Sequence, residues 1–373
     1  MDRSVTGDGF GDPTGTAFDT ALRRSLGIDV PILQAGMGLG ARAELVAAVS
    51  GAGGLGVLGG APLSPDELRA QIQQVRAATD RPFGVDLLLP PQLTTDDPTV
   101  AAVRDAVADL PQEQRDALPE LEALVRPGHV DDQVQVCIDE RVPVLVAGLG
   151  SPAPYLDLLH DAGVQVFALA GSVGHAVRHA ADGVDAVIAS GSDGGGHVGR
   201  VGSLSLWCGC VDAVDVPVIG GGGIADGRTF VAALSTGCQG VWIGTRFLAT
   251  VEADAHEAAK QRLVETATDG TTVTRAISGK PMRVIRNAYV DGWRGRDHEV
   301  LPFPMQALAS EGRGAWALRR GDVDEGVIPA GSSTGLVHDV PTAAEVVHRL
   351  VAEAQATLAA LTDAAPIDVA GPR

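Results

Sequence analysis

Cysteine, tyrosine and basic residues are scarce in this chain. Only four cysteines occur in 373 residues, at Cys137, Cys208, Cys210 and Cys238, too few for a disulfide framework. Cys208 and Cys210 stand two apart, which is not the CxxC spacing of common zinc sites. Packing is expected of them, and no metal site. Lysine and arginine total 28 against 47 aspartates and glutamates, a formal charge of −19. Such a balance repels phosphate backbones and anionic lipid, so neither nucleic acid nor a membrane surface is expected as a partner. No stretch approaches the ~20 consecutive apolar residues of a membrane span. The opening MDRSVTGDGFGDPTG has no apolar h-region, so no secretory signal is expected and a cytoplasmic setting is.

What is present is a hydrophobic share of 45%, enough for a full core, arranged in a strand-then-helix rhythm. Short β-branched runs over 30–34, 55–58, 83–89, 143–147, 165–169, 186–189, 216–220 and 240–243 read as strands. Alanine-rich segments of helical period lie between most of them. The helix after residue 63 carries its own start signal: Ser64 as cap, Pro65 at the first position and Glu67 three residues on. Eight such units close naturally into an α/β (β/α)8 barrel, the TIM barrel, although a doubly wound sheet also satisfies the alternation. The expected organisation is an N-terminal extension over 1–24 and a barrel over 25–265. An acidic, proline-punctuated insertion at 90–128, read as two helical pieces and a lid, interrupts the barrel. A segment over 266–335 without the rhythm follows, then a helix and tail over 336–373.

Glycine motifs compete for the chemistry. Gly38-Leu-Gly40-Ala-Arg-Ala43 fits a dinucleotide pattern, but the next strand ends in Gly59-Gly60 where a ribose-binding acid should stand. Gly51-Ala-Gly53-Gly-Leu-Gly56 precedes a strand rather than a helix. A better anion site follows the last two strands. Gly220-Gly-Gly-Gly-Ile-Ala-Asp-Gly227 opens a helix, and Trp242-Ile-Gly-Thr-Arg246 ends the eighth strand. Barrels commonly hold a phosphate there, on main-chain amides and a helix N-terminus. Thr245 offers a hydroxyl; Arg246 offers charge or pairs with a structural carboxylate. After the sixth strand, Ser190-Gly-Ser-Asp-Gly-Gly-Gly-His197 reads as a flexible loop ending in an imidazole, equally suited by position to general-base work and to a plain surface role. Asp193 reads as a partner for turn amides.

Seven segments in order resemble the nitronate monooxygenase family, formerly 2-nitropropane dioxygenase. They are Pro31-Ile-Leu-Gln-Ala-Gly-Met37, Ala52-Gly-Gly-Leu-Gly56, Gly84-Val-Asp-Leu-Leu-Leu-Pro90, the Gly-Gly-His197 loop, Gly222-Gly-Ile-Ala-Asp-Gly227, Ile243-Gly-Thr-Arg-Phe-Leu248 and Ser278-Gly-Lys-Pro281. The resemblance spans residues 25–350 and implies an FMN-dependent barrel. It implies that Ala35, Gly36 and Met37 contact the flavin ring through the backbone. Gly195, Gly222, Gly223, Trp242, Ile243, Gly244 and Thr245 would hold its phosphate end. Asp86, Ser190 and Gly196 complete the implied cofactor contacts, with His197 as catalytic base. The implied reaction turns a nitronate, or the neutral nitroalkane it comes from, and dioxygen into a carbonyl compound and nitrite; the implied partners are dioxygen and a small molecule, a nitronate or another small electron donor or acceptor. An NAD(P)H-dependent quinone or enoyl reductase is the alternative, and a non-catalytic flavin-binding scaffold a third; a homodimer is left open. Asp86 replaces the family's usual Asn, Ser190 its Gln, Asp193-Gly194 its Glu-Ala, and Gly209-Cys210 its Pro-Gln. With Tyr155 and Tyr289 as the whole tyrosine complement, the tyrosine-marked nitronate-oxidising subgroup is not indicated.

Overall fold

The computed structural model describes residues 18–89, 128–303 and 305–362, together with Asp105 and Ala108. The two helices and the lid expected in the 90–128 insertion therefore lie outside the described residues, Asp105, Ala108 and Gly128 excepted. Eight parallel strands form the main sheet. They are β1 Ile32–Gln34, β2 Gly56–Gly59, β3 Phe83–Leu89, β4 Val144–Gly150, β5 Gln165–Ala170, β6 Ala186–Ser190, β8 Val218–Gly221 and β9 Gly240–Ile243; β7, Gly196–His197, belongs elsewhere. Their order is β1-β9-β8-β6-β5-β4-β3-β2.

A parallel bridge from Leu33 to Leu55 brings the two ends of that order together, so the sheet closes as a barrel. The seam has few backbone rungs, and the buried Gln34 side chain adds two. Its Nε2 donates to Val57 O at 3.2 Å and its Oε1 accepts from Val57 N at 3.2 Å. Pro31, Pro143 and Pro217 each stand immediately before a strand. Lacking an N–H, they cannot enter the ladder as donors, which is why β1, β4 and β8 begin after them.

Alternation along the strands sorts the core into two layers. Leu33, Val57, Val146, Phe167, Ile188, Ile219 and Trp242 fill the interior; Leu58, Val85, Leu87, Leu145, Val187 and Ile243 pack outward against helices. A short helix, Ala21–Leu26, plugs the N-terminal mouth by adding Leu22 and Leu26 to the interior layer. Its Leu22 N–H donates to Gln239 Oε1 at 3.1 Å. The helix Pro65–Ala78 starts with the full capping box, Ser64 and Glu67 each serving the other's backbone. The last helix, Ala343–Thr362, lies outside against Gly227–Ser235. A side chain at Gly227 would overlap the backbone of Glu353 and Ala354.

The 266–335 segment is more ordered than its lack of barrel rhythm suggests. β10 Thr271–Thr274 and β11 Met282–Ile285 form an antiparallel hairpin, and β7 adds to its other edge. Among the described residues, no helix is long and apolar enough to cross a membrane.

Candidate active site

The C-terminal ends of the barrel strands surround a cavity of about 370 Å³. A more open hollow of about 550 Å³ lies at the opposite end, beside Arg76, Arg81 and Pro143. There Arg81 is held by Asp29 and Arg76 by the carbonyls of Glu140 and Arg141. Barrel chemistry belongs at the C-terminal end, where the loops converge.

Ala35, Gly36 and Met37 line one side of the cavity directly after β1, and Asp86 rises from β3 below them. Asp86 is nearly buried, and the chain makes room for it by omitting side chains: a Cβ at Gly36 or at Gly148 would overlap its carboxyl. Ser190, Gly195, Gly196 and His197 enter from the β6 side, and Gly222, Gly223, Trp242, Gly244 and Thr245 from β8 and β9. Ile243 does not line the cavity. Period two turns its side chain into the outer layer, while its carbonyl accepts the Ala35 N–H at 2.9 Å.

The anion end differs from the sequence expectation in its helix. The Gly227–Ser235 helix is closed by its own cap: Asp226 accepts from Thr229 N, and Glu353 Oε2 accepts from Gly227 N. Its Gly227 and Thr229 amides are therefore engaged. The available donors lie one turn earlier, at Gly222 and Gly223, which have φ of 93° and 81°. Only glycine adopts that backbone without strain. Among the described residues, no hydrogen bond engages their amides. Thr245 Oγ1 accepts from Gly331 N at 2.9 Å, which leaves its proton as a donor. Trp207 supports this end from behind, donating to Ala189 O at 3.1 Å and Gly221 O at 3.2 Å.

Arg246 takes no part in the cavity. Buried, it reaches Asp339 Oδ1 at 3.1 Å and donates to the carbonyls of Ala249 and Asp339 at 2.7 Å each. It ties the end of β9 to the C-terminal segment. Asp193 does what turn acids do: its carboxylate accepts from Ser203 N at 2.8 Å, at the start of helix Ser203–Val211.

The His197 loop is pinned rather than flexible. His197 pairs with Met282 and Gly196 with Arg283, and Arg283 Nε donates to Ser192 O at 2.7 Å. On its other side, Ser332 N donates to Asp193 O at 2.9 Å. His197 Nε2 lies 2.9 Å from Ser278 Oγ. That hydroxyl also accepts from Lys280 N at 3.3 Å and sits 3.5 Å from Met282 Sδ. One proton arrangement serves all three contacts: Nε2–H and the Lys280 N–H donate to Oγ, and the hydroxyl points at sulfur. Nδ1 then carries the lone pair. The ring opens onto the cavity, yet protein crowds round it; burial first, and the Lys280 charge second, push its pKa down to about 4. The imidazole is neutral at pH 7.

Sequence reasoning missed Ser278, Met282 and the wall made by Phe303, Ala307, Ser310, Ala315 and Leu318. The Ser278-Gly-Lys-Pro281 motif was the available signal, but nothing local says that it meets a histidine 81 positions earlier.

The nitronate monooxygenase family model matches residues 19–353. The chain belongs to that family. It is an oxidoreductase, and relatives within reach differ in what they are named for. A Mycobacterium tuberculosis (strain ATCC 25618 / H37Rv) protein, (3aS,4S,5R,7aS)-5-hydroxy-7a-methyl-1-oxo-octahydro-1H-indene-4-carboxyl-CoA dehydrogenase, is 32% identical over 375 residues, covering 90% of this chain and 96% of that one. FabK from Thermotoga maritima superposes with a TM-score of 0.78 at 34% identity, over 92% of this chain and 98% of that one. Nitroalkane oxidase from Streptomyces ansochromogenes gives 0.75 at 30% identity, over 90% and 98%.

Proposed function

We propose that this member of the nitronate monooxygenase family is an FMN-dependent enzyme that oxidises alkyl nitronates with dioxygen to a carbonyl compound and nitrite. The observation that carries the reading is the His197 imidazole lining the same cavity as the left-handed Gly222–Gly223 turn.

The residues present fit the cofactor. Gly222, Gly223 and the Thr245 hydroxyl supply donors suited to a phosphate dianion. The backbone of Ala35–Met37 and the Trp242 side chain border the space a flat ring needs. Asp86, when ionised, only accepts hydrogen bonds, so it suits an N–H edge rather than a carbonyl. When bound, FMN supplies a two-electron acceptor that dioxygen reoxidises.

This chain's own residues handle the proton. His197 Nδ1 takes the α-proton of a neutral nitroalkane, while a nitronate arrives already deprotonated and needs no base. Ser278 orients the ring. Leu149, Leu169 and Met282 make that part of the cavity wall apolar, which disfavours the protonated imidazole.

The test is dioxygen uptake with a primary or secondary nitronate in the absence of NAD(P)H. Uptake matched by nitrite supports the proposal; no uptake with any nitronate overturns it. The similarity to FabK and to the M. tuberculosis dehydrogenase favours a second reading. In it, the chain is an NAD(P)H-dependent flavin reductase of a quinone or enoyl acceptor. Rapid anaerobic bleaching by NADH or NADPH, and not by nitronate, decides for that reading.

A further inference from the structure

Lys280 stands out in a chain of formal charge −19. Its ammonium is half-buried, lies 4.3 Å from the centroid of the Phe303 ring, and has no carboxylate partner among the described residues. The neighbouring cations are all engaged. Arg275 donates to Gly279 O at 3.0 Å, Arg283 to Ser192 O at 2.7 Å and Thr271 Oγ1 at 3.1 Å, and Arg313 to Glu325 at 2.7 Å.

The backbone holds Lys280 beside the cavity lining, against the ring of Phe303. Gly279 is left-handed, at φ 83°, and the main chain of Leu301–Phe303 packs directly on it, so the next side chain is carried to the Phe303 face. Phe303, Ser278 and His197 all line the cavity. Ser278 links the two ends of this arrangement, touching the His197 ring and accepting the Lys280 N–H. The walls nearby are apolar: Leu149, Leu169, Ile277 and Met282. A half-buried cation with no counter-charge among the described residues, beside an apolar chamber, is favourably met by an anion. The aromatic face compensates in part.

We propose that Lys280 is the anion anchor of this cavity, selecting ligands with an apolar body and a fixed carboxylate or phosphate remote from the reacting carbon. The proposal rests on the reading of the cavity as the substrate pocket. It does not require nitronates to be the substrate. The same charge acts on His197, so the anchor sets the electrostatics of the base as well as the substrate's orientation.

The experiment measures binding rather than turnover, so that it stands or falls apart from the proposed reaction. Calorimetry on the FMN-loaded protein compares hexanoate with hexanamide, in wild type, Lys280→Met and Lys280→Arg. The wild type is expected to prefer hexanoate by about tenfold, the value of one charge-assisted contact. Lys280→Met is expected to erase the preference while leaving hexanamide affinity unchanged, which also reports an intact cavity; Lys280→Arg is expected to keep it. No hexanoate binding by wild type, no preference for it, or a preference that survives Lys280→Met overturns the proposal. Loss of the preference in a protein that fails to turn over nitronates leaves the anchor standing and removes only the reaction.

Discussion

The Nε2 of His197 and the Oγ of Ser278 meet at 2.9 Å across 81 positions of sequence. The contact joins the loop after the sixth barrel strand to the hairpin of the C-terminal segment. The candidate base is therefore held by two parts of the chain at once, and its free nitrogen is chosen by a serine outside the barrel.

Replacing Ser278 with alanine removes that choice without touching the glycine turn. Turnover of a neutral nitroalkane is expected to fall about tenfold, the usual cost of losing a residue that orients a functional imidazole. FMN affinity is expected to stay as it was, and Ser278→Thr to recover most of the rate. Parallel steady-state and FMN-titration measurements check it; an unchanged rate removes Ser278 from the account.

His197→Asn is expected to cost about 10²–10⁴-fold in turnover of a neutral nitroalkane, and far less with preformed nitronate. The ring also leaves a mark on stability. Its pKa lies at about 4 in the folded protein against an ordinary 6.5, so between those values the unfolded chain binds the extra proton. Its contribution is complete above about pH 6.5, declines as pH falls through the window, and levels off below about 4. Relative to His197→Asn, wild type is thus expected to lose stability between pH 7 and pH 4.5. Urea unfolding at the two values, with an NMR titration of the ring, measures this; a ring titrating near 6.5 contradicts it.

Gly222→Ala puts a methyl group against Ser203 Oγ and Gly194 N at a φ of 93°. The variant is expected to lose about 1–2 kcal/mol of stability and at least tenfold in FMN affinity. Quenching of flavin fluorescence reads the second quantity. Wild-type affinity in a folded variant separates the turn from the cofactor.

Arg246→Met tests the opposite assignment. It leaves the carbonyls of Ala249 and Asp339 without their donor, and about 2–4 kcal/mol of stability is expected to go. The flavin affinity of the folded fraction is expected to be unchanged. A selective loss of affinity would return Arg246 to the anion site.

The barrel was legible in the sequence because its strands are short β-branched runs bounded by turn residues. Phe83–Leu89 and Gly240–Ile243 were readable to the residue. The glycine turn and His197 were legible as cavity-lining residues, since each lies in a loop that follows a strand whose C-terminal end faces the cavity. The β10–β11–β7 sheet was not. Its strands have two to four residues, too few for alternation to register, and its polar threonines look like loop. Partner choice was equally hidden: Arg246 finds Asp339 across 93 positions. Which face Ile243 takes depends on knowing that Trp242 points inward, a fact of three dimensions.

The most direct test is an anaerobic absorbance titration of the FMN-loaded protein with a nitronate, no reduced nicotinamide being present. The account predicts loss of the oxidised flavin bands in proportion to the nitronate added, and their return when dioxygen is admitted. Bands that stay unchanged with excess nitronate, yet vanish with NADH or NADPH, would contradict it.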